Sequence, residues 1–461
     1  MTSPSRPMAP SRVGAHRSIL AAILCGAIAW SCGAARSPGA RGTDSAGAQR
    51  WDEALRAFDR AAEREPERLE WRRERVRAAH RSGHLADRLR RLRGAVRPES
   101  SLPADMYELA LAVSRDGEPR SDEEALRLLA LVAARLPDEP DVHYRIGLIR
   151  LEREDYEDAV APLERAAELD PRSATTRVAL ADALGRSGQE DRAREVVRDL
   201  AELDPTNQDL ERAAAVLARL NSPQLHVPHA LRGAYRDAVA ALSEESESPG
   251  EAIQLIDEAL AVAPDCAPLI TLNGLASVRL GQLGRARTAF ERAAELWPGD
   301  PTPWMELAAL DAEAEDRAAA EEHLETALQA DPLSTDAWAE LGRVRYQRQR
   351  FEDAARAFRR LVRLDGGSML SMLWLGRALR RAGQDEAAED VYRSLLADHP
   401  ATFEAHVQLG HIYRARRLEE RDRERARELL ESARQAYRQA LEVRPHDLMV
   451  QRALDALEDL P

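Results

Sequence analysis

The segment Ala286–Pro298 reads ARTAFERAAELWP, and Ala320–Pro332, which starts 34 residues later, reads AEEHLETALQADP. Both begin with Ala, carry a large apolar residue four positions on, and end in Pro at the thirteenth position. Proline makes up only 25 of the 461 residues, yet nine of ten such segments end in it, so the pattern is an internal repeat. The ten segments begin at Ala54, Ala125, Ala159, Ala193, Ala252, Ala286, Ala320, Ala354, Ala388 and Ala433.

Each segment is the second half of a repeat, and its pattern predicts a helix. Apolar residues recur at i, i+3, i+4 and i+7, which places them on one helical face. The preceding half has the same spacing, as in Trp338, Leu341 and Gly342, so each repeat is predicted to be a helical hairpin. Proline ends the second helix because it has no amide hydrogen to donate. A single hairpin cannot bury its apolar face, so neighbouring hairpins must stack.

The combined pattern resembles the tetratricopeptide repeat, whose signature is W-x2-L-G-x2-Y, then A-x3-F-x2-A, and a final P. The resemblance covers residues 51–460, and Trp304, Trp338 and Leu409-Gly410 carry its first half. It implies an all-α fold, a right-handed superhelical solenoid of tetratricopeptide helix-turn-helix repeats. It also implies a concave groove that receives an extended peptide or a partner helix. In the family, the position of Trp304 and Trp338 is a packing site, whereas Trp374 stands two places further along.

The charge balance narrows the choice of partners. Arg and Lys together number 66, Asp and Glu number 80, and the net charge is −14. The chain contains no lysine, so every one of these basic residues is Arg. Nucleic-acid binding relies on excess positive charge, so we expect no nucleic-acid partner. The aromatic content of 4% also argues against a large β-sheet core.

Common catalytic signatures are absent from the sequence. It has no H-E-x-x-H, G-x-x-x-x-G-K-[ST] or G-x-S-x-G motif. The pairs His80/His84 and His226/His229 lie at a turn and in a loop, so we expect neither pair to hold a metal. We therefore expect a non-catalytic protein with no cofactor, no metal and no small-molecule substrate.

The N-terminal residues resemble an export signal. Three arginines and no acidic residue precede an uncharged run, SILAAILCGAIAWSCGAA, over residues 18–35. Residues 29–33, AWSCG, resemble the lipobox of bacterial lipoproteins, in which residues 1–31 are a signal peptide and Cys32 is lipidated. Two alternatives stay open: cleavage after Ala29 into a soluble secreted protein, and an uncleaved membrane anchor.

The lipidated form predicts an exported protein of the cell envelope. If the cell is Gram-negative, Gly33 after the cysteine favours the outer membrane, with the chain facing the periplasm. Cys25 leaves with the signal and Cys32 is acylated, so Cys266 is the one cysteine of the folded part and no internal disulfide can form. We expect Cys266 to be a packed small residue.

The breaks in the repeat predict the domain organisation. Residues 32–50 are small and polar and predict a flexible tether. Residues 51–221 form an N-terminal array that is degenerate at its start, 222–232 a joint, and 233–461 a C-terminal array. The alternative is one continuous superhelix with an irregular loop. Eleven extra residues predict a helical insertion near 414–424, and the final helix is expected to cap the array.

The groove implied by the resemblance contains a predicted basic strip. Positions 2, 5, 9, 12 and 13 of the first helix face the groove in the family. Guanidinium groups suit carboxylates, so an acidic segment or a C-terminal carboxylate is the expected ligand. The alternative is that arginine is common enough for some column to be basic by chance. The residues at these positions are Arg343, Gln347, Arg377, Arg380, Arg381, His411 and Arg414.

The predicted function is a non-catalytic scaffold that binds other proteins at the cell envelope and reaches the membrane through its lipid anchor. The alternative is an accessory or regulatory subunit of an envelope enzyme, or of a secretion, pilus or polysaccharide-export complex. An intrinsic enzyme is the weakest hypothesis, because the repeats leave little room for a catalytic domain outside residues 67–105.

Overall fold

A computed structural model describes residues 38–47, 49–116, 121–203, 205–242 and 249–458. Every regular element within these ranges is a helix, so the predicted all-α fold class is confirmed. The predicted signal peptide, Cys25 and Cys32 lie outside the described residues. In the described part of the chain, no helix combines the length and the apolar character that crossing a bilayer requires.

The chain divides into two compact units, Met1–Val216 and Leu217–Pro461, and the division falls inside helix α11. The helices up to this point are α1 (Pro38–Gly47), α2 (Trp51–Arg64), α3 (Leu69–Arg81), α4 (Leu85–Ala95), α5 (Pro103–Ser114), α6 (Ser121–Arg135), α7 (Pro140–Glu152), α8 (Tyr156–Leu169), α9 (Ala174–Arg186), α10 (Glu190–Glu202) and α11 (Asn207–Leu220).

The second unit begins irregularly and then continues as helical hairpins. A short 3₁₀ helix, His229–Leu231, follows its first helix. The helices are α12 (Pro223–His226), α13 (Arg232–Ala241), α14 (Pro249–Val262), α15 (Ala267–Arg279), α16 (Leu283–Leu296), α17 (Pro301–Glu313), α18 (Arg317–Ala330), α19 (Thr335–Gln347), α20 (Phe351–Leu364), α21 (Met369–Arg381), α22 (Asp385–Asp398), α23 (Phe403–Glu419), α24 (Arg423–Val443) and α25 (Leu448–Glu458).

Glycine at the eighth position of the first helix lets the two helices of a hairpin approach closely. A Cβ atom added to Gly342 would lie 2.5 Å from Cε1 of the fully buried Phe358, too close for any side chain. This contact explains why a small residue and a large apolar residue recur together in the repeat. The same arrangement pairs Gly147 with Leu163, Gly274 with Phe290, Gly376 with Tyr392, and Gly410 with Tyr437.

The proline that ends a repeat has a second role, because its carbonyl oxygen accepts a hydrogen bond from the following repeat. Trp304 Nε1 donates to Pro298 over 3.2 Å, and Trp338 Nε1 donates to Pro332 over 2.9 Å. His406 Nε2 lies 2.8 Å from the Pro400 carbonyl oxygen, so this nitrogen must carry the hydrogen. The two tryptophans therefore tie successive repeats together.

The structure differs from the expected flexible tether at residues 32–50. Helix α1 occupies Pro38–Gly47, and Ala46 packs against an apolar cluster that includes the buried Phe58 of α2. Over these residues the chain is helical and covers part of the apolar face of α2. The sequence signal was weak, since α1 is built from small and polar residues.

The segment 222–232, predicted to be a joint, is attached to the second unit. Val227 is only 2% exposed and packs in a cluster with Ala259 and Leu269. Further along, the extra residues near 414–424 lengthen both helices of one hairpin. Helix α23 has 17 residues and α24 has 21, against 13 and 14 in the preceding hairpin.

Candidate peptide-binding groove

The predicted groove residues lie on α19, α21 and α23, which are the first helices of three consecutive repeats in the second unit. Arg343, Arg377 and His411 occupy the ninth position of these helices. Arg380 and Arg414 occupy the twelfth position. Stacking of the repeats therefore places basic residue types, Arg or His, at equivalent positions of the three helices.

Side chains of α21 and α23 form a connected polar network. Arg377 Nη2 lies 3.2 Å from Glu404 Oε1, and Gln408 Nε2 donates to the same oxygen over 2.9 Å. Arg380 in turn donates to Gln408 Oε1. The network holds Arg377 and Arg380 in place, and both side chains stay partly exposed. Two of the predicted residues thus belong to one preorganised cluster.

His411 lies at the edge of this network and is half-buried. Its Nδ1 is 2.9 Å from the hydroxyl oxygen of Tyr437, which packs on Gly410. Burial lowers the pKa of His411, and the positive charges of Arg380 and Arg414 lower this pKa further. His411 is therefore neutral near pH 7 and adds no positive charge to the strip.

Arg343, Gln347 and Arg381 have separate partners. Arg343 is exposed and pairs with Glu340 on its own helix. Gln347 accepts a hydrogen bond from Arg317 Nε over 3.1 Å. The guanidinium of Arg381 lies 4.4 Å from the ring centroid of Phe351, a cation–π contact. Gln347 and Arg381 therefore contact the preceding hairpin or its turn and are not joined to the network of Arg377.

Two acidic residues that sequence reasoning missed belong to the same surface. Glu404 stands at position 2 of α23, one of the positions that face the groove in the family, and it pairs with Arg377. Glu340 stands three residues before Arg343, a spacing that places both side chains on one helix face. The strip is therefore a mixed-charge surface. A carboxylate of a ligand has to compete with Glu340 and Glu404 for the arginines.

Apolar side chains accompany the charges. Trp374 stacks on Phe358 at a centroid distance of 5.5 Å and meets the edge of Tyr346 at 5.8 Å, so it is part of the packing. The guanidinium of Arg377 lies 5.3 Å above the same indole. Leu370, at position 2 of α21, is 65% exposed. Helix α21 therefore carries an exposed apolar side chain as well as its arginines.

The other candidate sites have structural surroundings. The imidazole of His226 lies 3.8 Å from the ring centroid of Trp297, and its Nε2 is 3.4 Å from the Leu220 carbonyl oxygen. Cys266 is a buried thiol, and burial raises its pKa. Within the described ranges, no three His, Cys, Asp or Glu side chains gather closely enough to hold a metal ion.

Family models of the tetratricopeptide repeat match the chain in both units. The matched ranges are residues 107–174, 150–220, 244–301, 305–369 and 340–402. They cover more than half of the chain, and the hairpins they mark are those of the structure. The chain belongs to the tetratricopeptide repeat family. Proteins of this family bind other proteins or peptides and are generally non-catalytic scaffolds.

Solved structures of tetratricopeptide proteins are similar to parts of this chain. One of them is YrrB, described as a TPR protein with an unusual peptide-binding site, which is 21% identical to this chain with a TM-score of 0.36. The match covers 44% of this chain and 97% of YrrB. The Cut9–Hcn1 assembly of APC/C is 13% identical with a TM-score of 0.32, over 90% and 95%.

A third similar structure is pilF of Pseudomonas aeruginosa, at 17% identity and a TM-score of 0.29, over 58% of this chain and 94% of its own. At these identities the three likenesses concern the fold alone. A search of curated proteins found no match.

Proposed function

We propose that this chain is an exported scaffold of the cell envelope that binds an acidic segment of a partner protein on α19, α21 and α23. The observation that carries the proposal is the polar network around Arg377, which fixes two guanidinium groups on the helix that also carries the exposed Leu370. Fixed guanidinium groups bind carboxylates with little loss of side-chain entropy. An apolar neighbour adds contact area to the same ligand.

The expected ligand alternates acidic and apolar side chains. Its carboxylates bind Arg343 and Arg377 in addition to Glu340 and Glu404, and an apolar side chain covers Leu370. Because the ligand shares guanidinium groups that already have carboxylate partners, the charges contribute more to the choice of partner than to the affinity.

Crosslinking in the living cell tests the groove. A photoreactive amino acid at Leu370 is expected to capture a partner, and Arg343→Glu with Arg377→Glu is expected to abolish that crosslink. The matched control reverses Arg356 and Arg425, which are 68% and 65% exposed and lie outside the strip. An undiminished crosslink in the Arg343/Arg377 variant would refute the groove.

Lipid anchoring through Cys32 is a separate part of the proposal and rests on the lipobox-like residues 29–33. Membrane fractionation and intact mass of the full-length protein, beside Cys32→Ser, test it. An acylated mass and membrane retention that both vanish in the variant support the anchor. A soluble product cut after Ala29, or an uncut chain unaffected by the variant, would refute it.

A further inference from the structure

The basic residues of the first unit are concentrated near its N-terminal end. Residues 69–98 contain ten arginines and three acidic residues, although the whole chain has a net charge of −14. Three of these arginines pair with the buried Glu108 and belong to the packing. A second group is exposed on α4 and on the segment that follows it, and it consists of Arg90, Arg91, Arg93 and Arg97.

Helix α4 has an apolar side and a basic side. Leu89 is buried, and Leu85 and Leu92 pack against the same apolar cluster, so the exposed arginines of this helix lie on the side that faces water. The helix contains four arginines and one acidic residue. Helix α8 of the same unit has the reverse charge, with four acidic residues and one arginine. The unit therefore has a basic region and an acidic region along its length.

The exposed arginines differ in their partners. Arg90 and Arg93 each pair with a carboxylate, on α4 and α6 respectively. Arg91 Nε donates to a backbone carbonyl oxygen of its own helix over 3.4 Å, and Arg97 Nη1 donates to the carbonyl oxygen of the residue before it over 3.0 Å. Within the described part of the chain, no carboxylate pairs with Arg91 or Arg97. These two side chains therefore bring uncompensated positive charge to the surface.

The basic surface lies near the predicted lipid attachment point. Five residues separate Cys32 from Pro38, where α1 begins, and a chain of this length spans at most about 21 Å. Helix α1 packs on α2, and α4 is held to α2 by a contact of 2.9 Å between Arg88 Nη1 and Asp59 Oδ1. A lipid on Cys32 would therefore hold α4 close to the headgroups of the bilayer.

We propose that Arg91 and Arg97, with the neighbouring arginines of α4, bind the anionic headgroups of the membrane that carries the protein. The proposal rests on the envelope location proposed above and adds a surface that orients the first unit on the bilayer. Basic residues within about 10 Å of an anionic bilayer are attracted to it, whereas acidic residues are repelled. Helix α4 therefore faces the lipid, and the acidic α8 faces water.

Vesicle binding by the full chain tests this surface, and Cys32→Ser is included so that no acyl group contributes. One set of vesicles is neutral phosphatidylcholine, and the other contains about 30% phosphatidylglycerol. The neutral vesicles measure what the apolar residues 18–35 contribute, so the difference between the sets measures the charge-dependent part. We expect at least about tenfold tighter binding to the anionic vesicles at low salt, and the preference should vanish at about 1 M salt.

Two substitutions assign the preference to α4 and the segment after it. Arg91→Gln with Arg97→Gln should reduce the preference for anionic vesicles about tenfold, because each arginine near an anionic bilayer contributes to binding. The matched control, Arg356→Gln with Arg425→Gln, makes the same change in net charge at side chains that are 68% and 65% exposed, and it should leave the preference unchanged. Thermal melts followed by circular dichroism show whether each variant is folded.

Several outcomes would overturn the proposal. These are equal binding to both sets of vesicles, an equal loss in the control pair, or an Arg91- and Arg97-dependent binding of polyglutamate in place of vesicles, which would assign the surface to an acidic protein. The envelope location fails separately, because membrane fractionation of the unaltered chain tests it. A chain that fractionates with membranes but has no preference for anionic vesicles would refute the α4 surface alone.

Discussion

Two carboxylates, Glu108 in the first unit and Glu321 in the second, are each surrounded by three arginines, but their surroundings differ. Glu108 is fully buried and accepts hydrogen bonds from Arg72 over 3.2 Å, Arg75 over 2.9 Å and Arg88 over 2.6 Å. These arginine side chains are between 8% and 13% exposed. Helices α3, α4 and α5 therefore meet at one ionic cluster.

Glu321 is 5% exposed, but its partners are closer to water. Arg345 Nε and Arg350 Nη1 donate to it over 2.8 and 2.7 Å, and Arg348 also donates. The exposed fractions of these arginine side chains are 15%, 45% and 33%. The second cluster therefore lies at the edge of the packing, between one repeat and the next.

The difference shows what each cluster does. Residues 69–98 match the repeat pattern poorly, and there the ionic cluster adds to an apolar cluster that includes Leu69, Val76 and Leu89. The cluster around Glu321 lies in repeats that match the pattern well, and it is not a feature of every repeat. One repeat after Glu321 and Arg345, the equivalent positions hold Ala355 and Leu379, which belong to an apolar core. A buried ion pair is costly to break even where its net contribution is small. This contrast implies different losses of stability when the two carboxylates are removed.

The largest effect is expected for Glu108→Gln. It leaves three buried guanidinium groups with only the partly exposed Asp59 and Asp105 as carboxylate partners, so the free energy of unfolding should fall by about 3–5 kcal/mol. Urea unfolding followed by circular dichroism measures the change. Glu124→Gln is the matched control: its 2.9 Å pair with Arg93 is 42% and 45% exposed, and the loss should stay below about 1 kcal/mol.

A smaller effect is expected for Glu321→Gln in the same assay. Water can solvate Arg348 and Arg350 when the carboxylate charge is removed, so the loss should be about 1–3 kcal/mol. The ratio of the stability losses in Glu108→Gln and Glu321→Gln shows whether burial of the arginines controls the cost. If Glu321→Gln cost as much as Glu108→Gln, burial of the arginines would not be the controlling variable.

A third prediction concerns an ion pair in which the acidic and basic positions are exchanged. One repeat before Glu321 and Arg345, the equivalent places hold Arg287 and Asp311, which pair over 2.6 Å with the signs reversed. Arg287→Glu alone should cost about 1–2 kcal/mol, and adding Asp311→Arg should recover at least half of the loss. Recovery is incomplete because His323 also lies 2.7 Å from Asp311. Losses that simply add would show that the two residues are not coupled.

The smallest effect is expected from mild acid. Burial raises the pKa of Glu108 and Glu321, but the hydrogen bonds and charges of their arginines outweigh burial and lower it overall. Both clusters therefore stay ionised between about pH 7 and pH 5, and their contribution is lost only below the usual carboxyl pKa.

The lowered pKa of His411 acts in this same window. Below about pH 6.5 the unfolded chain binds this proton more readily than the folded chain, so stability should fall by up to about 1 kcal/mol as the pH falls. Urea unfolding at the two pH values measures the fall, and His411→Gln should reduce it. An unchanged pH dependence in this variant would assign the fall to other groups, such as His80, whose pKa burial also lowers.

Much of the fold follows from the sequence pattern. The recurring alanines, prolines and apolar residues predict the helical hairpins, and the close contact of Gly342 with Phe358 shows why the pattern has its form. The pattern fails at α1, because its small polar residues carry no helical periodicity of apolar groups. Over 69–98 Leu85, Leu89 and Leu92 keep helical spacing, but the residues around them do not match the repeat. Those helices are stabilised by neighbours that lie elsewhere in the chain.

The candidate groove follows from the sequence only in part. Equivalent positions on successive helices predict that Arg343, Arg377 and His411 lie along one surface. Whether each is charged and free to bind depends on neighbours such as Glu404 and Tyr437, which come from other parts of the repeat. The pairing of Arg73 with Asp141 had no sequence signal, since the two residues are 68 positions apart in the chain.

The sequence by itself determined the repeat length, the helical hairpins and the family, because these depend on local periodicity and on backbone chemistry that proline and glycine impose. The tertiary structure decided which arginines meet which carboxylates, and hence which are available to a ligand. Those pairings join residues such as Arg88 and Glu108 or Arg73 and Asp141 across different helices. Their energies depend on burial, which only the packed hairpins define.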